Sequence, residues 1–120
     1  MGAHNIQRKI EEGRIRRTLA LAADTTLTIQ QVLDNDVIEI DTTDNTVAVT
    51  LPAASAAIAG RQLTVKHKLG ANAGTVVVAA GYGSAGSGSD TLTTAAGEAV
   101  IVGLDKAGAY WDELHNEPAG

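Results

Sequence analysis

Beyond Asp24 the chain alternates apolar and polar residues with a period of two, and this alternation constrains its fold more than any other feature. Gln62–Leu69 reads QLTVKHKL, which puts Leu63, Val65, His67 and Leu69 on one face and Gln62, Thr64, Lys66 and Lys68 on the other. Val37–Asp41 (VIEID) and Val47–Leu51 (VAVTL) repeat the pattern, with Ile38 and Ile40 on one face and Val47, Val49 and Leu51 together. Such a period belongs to half-buried strands, because successive side chains point to opposite sides of a pleated sheet. Residues 26–29, 75–79, 91–93, 98–104 and 109–114 complete the predicted strands. Turn-forming residues separate them: Asp34-Asn35-Asp36, Asp44-Asn45, 70–74, 81–90, Ala96-Gly97 and Lys106-Ala107-Gly108. Seven to eight short strands at this spacing predict an all-β fold, a small sandwich or barrel of jelly-roll-like form. Pro52 ends its strand because it has no ladder donor, and 53–59, closed by Gly60, predicts a tight connection or one helical turn.

The first 23 residues break this pattern. Ile6 and Ile10 stand one helical step apart, and Glu11 and Glu12 face Arg14 and Arg16, which predicts one or two helical turns followed by an extended stretch. Gly13 interrupts the helix at about 1 kcal/mol relative to Ala. Gly13 and Arg17 also fall where a coiled coil needs apolar knobs, so no zipper is expected. The segment holds Arg8, Lys9, Arg14, Arg16 and Arg17 against Glu11 and Glu12, whereas the rest sets four basic residues against twelve carboxylates. A basic arm on an acidic body suits docking on an acidic protein surface. The organisation read from the sequence is therefore a docking arm over 1–23, a β domain over 24–114 and a polar tail over 115–120.

Composition removes most chemistry. The 120 residues include no Cys and no Phe, one Trp and two Tyr. Disulfides, thiolate nucleophiles and Cys-ligated metals are excluded. No run of about 18 apolar residues offers a membrane helix, and the N-terminus has no apolar core of a secretory signal. So few aromatics argue against base-stacking platforms, and no nucleic-acid, membrane or small-molecule partner is expected. Ala and Gly supply much of the apolar fraction, so a chain this small is expected to finish its core by oligomerising. Residues 75–79 and 98–104 are apolar on both faces, which assigns Val77 and Ile101 to a subunit interface, and His67 is expected to be a packed histidine, at the core or near the symmetry axis of that interface.

No constellation of reactive residues stands out, and no catalytic, cofactor or metal residue is assigned. His4, His67 and His115 are far apart, and His67 lies among apolar neighbours. Asp34, Asp36, Glu39, Asp41 and Asp44 form the best cation candidate, but counting from Asp34 puts Glu39 where a calcium-binding loop needs Gly and Asn45 where it needs Glu. The loop 81–90, GYGSAGSGSD, lacks the Lys and following helix of a phosphate cradle. Ser55, Ser84, Ser87 and Ser89 sit in no nucleophile elbow. Tyr110 and Trp111 are expected to make the largest packing contribution. Their alternative role is an exposed sugar-binding pair beside the 81–90 loop.

The stretch Val47-Ala48-Val49-Thr50-Leu51-Pro52-Ala53, then Gly60-Arg61-Gln62-Leu63-Thr64-Val65-Lys66, resembles β modules of tailed-bacteriophage structural proteins. Such modules run V-x-L-P-x-A, G-x-x-L-x-V-K, V-x-V-x-A, T-L-x-x-A-G-E-A-V-x-V and G-x-x-W. The later parts correspond to Val76-Val77-Val78-Ala79, to Thr91-Leu92 with Ala96-Gly97-Glu98-Ala99-Val100, and to Gly108 with Trp111. The likeness spans about residues 37–114 and departs from the family at 81–90, which is longer in Gly and Ser. It implies a homotrimeric β module without catalysis or cofactor. The chain ends six residues after Leu114, leaving no shaft, so a capsid decoration (cement) protein on the outer surface of the virion is expected. Its partners would be itself and the major capsid protein, with Ile6, Ile10, Arg14, Arg16 and Arg17 docking on the capsid. A head- or tail-fibre base module and a small carbohydrate-binding domain are the alternatives.

Overall fold

The alternating segments become strands of two sheets whose inward residues merge into one core. The computed structural model describes residues 17–78 and 90–117, and side chains are described for 17–78 and 95–114. The docking candidates Ile6, Ile10, Arg14 and Arg16 and nearly all of the 81–90 loop lie outside the described residues. In chain order the strands are β1 (Thr18–Leu21), β2 (Thr25–Thr26), β3 (Val37–Asp41), β4 (Val47–Leu51), β5 (Gln62–Leu69), β6 (Gly74–Val78), β7 (Asp90–Thr94), β8 (Ala99–Leu104) and β9 (Trp111–Glu117). One sheet has the order β1-β3-β5-β8-β9, the other β2-β4-β6-β7. Nine strands among the described residues replace the seven to eight expected.

The connectivity differs from a jelly roll, whose strands run antiparallel. Here β1, β3 and β5 are parallel, as are β2, β4 and β6, and only β7, β8 and β9 pair antiparallel. The chain thus winds from one sheet to the other and back, laying each coil beside the last. Val37 lies beside Thr64 and Val47 beside Gly74, an offset of 27 residues in both sheets (64 − 37, 74 − 47). Equivalent positions of successive coils therefore stack as ladders: Ile38 on Val65, Val49 on Val76, Leu51 on Val78. All six are buried, and with Leu63, Val100, Val102, Leu104 and Trp111 they belong to one cluster. Each such side chain contributes about 1.5–3 kcal/mol by leaving water.

Two boundaries move. Thr18–Leu21 pairs with Val37–Ile40, so among the described residues the β body begins at Thr18 rather than at Asp24. β9 runs to Glu117, and His115 pairs with Ile101, so the expected polar tail is strand for its first three residues. The strand expected over 26–29 is also cut short. Thr28 instead caps a helix, α1 (Ile29–Asp34): its hydroxyl accepts from Gln31 N while the Gln31 side chain accepts from Thr28 N. That reciprocal pair satisfies two donors at the helix start. At the other end Arg61 donates to the Val32 and Leu33 carbonyls, both at 3.0 Å. Arg17 donates to the Leu33 carbonyl at 3.1 Å. A cation there suits the partial negative charge of exposed helix carbonyls. The predicted helical turn within 53–59 is a short 3-10 turn at Ala56–Ile58, capped by Ser55.

Candidate functional site

The aromatic pair divides into an anchor and a surface residue. Trp111 is 0% exposed and is the largest fully buried side chain. Its indole N–H donates to the Pro52 carbonyl at 2.8 Å, tying the first residue of β9 to the end of β4 in the opposite sheet. Three residues earlier Gly108, at φ +75, lies so close to the Ser55 carbonyl and Ala56 that a Cβ would overlap them. The L-P-x-A segment and the G-x-x-W segment, 59 residues apart at Pro52 and Trp111, are thus two halves of one clasp. Trp111 presents no surface to a sugar, which removes the main residue from the carbohydrate-binding alternative. Tyr110 is half-buried and borders a shallow outer groove with Gln62, Asp112 and Leu114.

His67 is enclosed within the chain, 0% exposed, and so does not reach a surface where another subunit could meet it. The ladder explains its place: it stacks beside Ile40, where the preceding coil holds an aliphatic side chain. Burial of an imidazole requires a partner, and buried Thr42 supplies it at 2.8 Å from Nε2. The Thr42 hydroxyl also lies 2.8 Å from the Asn72 carbonyl. A hydroxyl has one proton and a carbonyl only accepts, so Thr42 donates to Asn72 and the ring donates from Nε2. Asn72 returns a bond from its amide to the Thr42 carbonyl at 2.8 Å. Gly70, at φ +102, brings its backbone against Thr42 where any Cβ would overlap it. The result is a polar lock joining the β3 and β5 ends, a structural role rather than a reactive one. The Nδ1 of His67 has no hydrogen-bond partner among the described residues.

The acidic series is dispersed, and four of its five members are locally bonded. Asp34 accepts from the Gln30 amide, Asp36 from Arg17 N, and Glu39 lies 3.7 Å from the Lys68 ammonium. Asp41 accepts from both the hydroxyl and the backbone N–H of Thr43, at 2.6 and 2.9 Å. Those bonds, the hydroxyl first, hold its carboxyl below the usual aspartate range. Among the described residues no group of three or more His, Cys, Asp or Glu gathers as metal ligands. Of the docking candidates, Arg17 is described, and it braces α1 and Asp36. Of the interface candidates, Val77 and Ile101 are half-buried on outward positions of β6 and β8, in different sheets. Sequence reasoning missed the Thr42–His67–Asn72 lock, although Thr42 and Asn72 flank strand ends and His67 stood out on an apolar face.

The chain matches no family model and no curated protein. Among solved structures it is similar to the StcE(132-251) fragment of enterohemorrhagic E. coli, at 14% sequence identity and a TM-score of 0.46. That similarity covers 82% of this chain and 89% of the fragment. Likeness at this level carries no functional argument.

Proposed function

We propose that this chain is a structural protein of a tailed bacteriophage, a homotrimeric capsid decoration (cement) protein built on a small β-sandwich. It binds the outer surface of the assembled head through its basic N-terminal segment and stabilises the shell without catalysis. The observation that supports this most is the clasp of Pro52 by Trp111 and of Ser55 by Gly108. Pro52, Gly108 and Trp111 belong to the spaced motif that carries the phage-module resemblance, and the clasp brings these parts of it together in one place. The charge asymmetry supports the docking role, since the basic residues before Thr18 lead into β1, an edge strand of its sheet.

Stabilisation follows from mass action. A protein that binds the assembled lattice but not free capsid subunits shifts the equilibrium toward the shell as occupancy rises. Ile6, Ile10, Arg14 and Arg16 supply apolar and cationic contacts to the capsid. Arg17, engaged with α1, fixes the base of the segment. The test is co-sedimentation of the purified protein with phage heads lacking it, comparing the full chain with one missing residues 2–16. The full chain is expected to pellet with heads and the truncated chain to remain in solution. Equal pelleting of both would remove the docking role of the segment, and pelleting of neither would remove the capsid function.

A further inference from the structure

We infer that copies of this chain meet through the outer face of the four-stranded sheet, turned toward a threefold axis; this rests on the homotrimer proposed above and assigns its contact face. The outward positions of β2, β4 and β6 are Thr26, Thr50 and Val77 in one cross-strand row and Ala48 and Thr75 in the next. None of these carries a charge, and at the margin the Asp24 carboxylate is taken up by the Ala48 N–H. The outer face of the five-stranded sheet is different, because Glu39 and Lys66 lie side by side there, Lys68 pairs with Glu39, and exposed Asp112 lies opposite Gly103.

Electrostatics selects between the two. From Asp24 onward, twelve carboxylates face four basic residues, so identical copies repel through most of their surface. Burying the charged face would strip water from unlike and like charges whose partners a second copy does not supply in register. The uncharged face avoids that cost, and its threonine hydroxyls and β-branched methyl groups suit packing between sheets. Symmetry gives the same answer. Val77 and Ile101 point away from the shared core on opposite sides, so a contact joining one to the other sets copies face to back and stacks them without closing. Three copies that turn the same face to one axis close into a ring, each contact joining different parts of that face. Val77 therefore belongs to the interface and Ile101 does not.

The chain has no cysteine, so single substitutions give a clean probe. Thr50→Cys and Thr75→Cys report the proposed face, and Thr64→Cys reports the other; all three threonines are half-buried in the single chain. The oligomer mass of the unmodified protein is measured first, then the rate at which a bulky maleimide labels each folded variant. The expected result is a mass of three chains, with positions 50 and 75 labelled at least about tenfold more slowly than position 64, since thiol reactivity follows access. A folded variant at 50 or 75 that no longer forms trimers supports the assignment equally. A trimer in which 50 and 75 label as fast as 64 overturns the face while leaving the homotrimer intact. A monomeric unmodified protein overturns both.

Discussion

Position 111 joins the last strand to the end of β4 through one indole. Trp111→Phe keeps most of the ring but leaves the Pro52 carbonyl without its donor, and a buried acceptor left bare costs about 1–3 kcal/mol. Trp111→Ala is expected to cost about 3–5 kcal/mol, because it adds a cavity to the lost bond. Urea unfolding of the two variants measures both numbers. The polar lock makes a different prediction. Thr42→Val leaves the His67 ring without an acceptor and is expected to destabilise by about 1–3 kcal/mol. Adding His67→Ile, which restores the residue type of the neighbouring coil, should cost less than the sum of the single changes. Additive effects in that cycle would refute the coupling. Asp41 supplies a pH test. Its carboxyl is lowered by Thr43, so its contribution to stability is present above the unfolded-state value and is lost as pH falls through the folded-state value. NMR titration should find Asp41 ionised at pH values where ordinary aspartates are protonated, and Thr43→Ala should move its midpoint upward.

Among the elements, α1 depends on its ends more than on its six residues, which are too few for a stable helix alone. Thr28→Ala removes the cap and is expected to cost about 1 kcal/mol, read by thermal unfolding. The strands β3, β4 and β5 were legible from alternation because each has a polar side and a core side, and β6 and β8 from short apolar runs between turn residues. The T-x-x-Q spacing of Thr28 and Gln31 is a helix-start signal, but the alternation of 26–29 reads as a strand and hides it. Parallel pairing was not legible, since alternation is the same whichever way neighbours run. The 27-residue coil is hidden by its substitutions, with His67 standing at the position of Ile40 and Gly74 at that of Val47. β1 falls in the extended stretch expected after the helical turns, but four residues following an arginine-rich run carry too little pattern to read as a paired strand. Of the site residues, burial of Trp111 followed from the scarcity of aromatics, whereas the enclosure of His67 depends on Thr42, 25 residues away.

For the whole molecule, two sheets enclose one core, and their outer faces differ in charge. That difference, with the basic segment before Thr18, fits a protein that packs against copies of itself and grips a larger acidic surface. A fibre base module would share the proposed trimer but would pass its load to a further protein instead of covering a lattice. The carbohydrate-binding alternative has lost Trp111 to the core. The most direct measurement is a heat challenge of phage heads prepared without this protein, with and without the purified chain added back. Decorated heads should retain their DNA at temperatures that empty the bare ones, with protection saturating as sites fill. Heads that bind none of the protein, or bind it and release DNA at the same temperature as bare heads, would contradict the capsid-stabilising role.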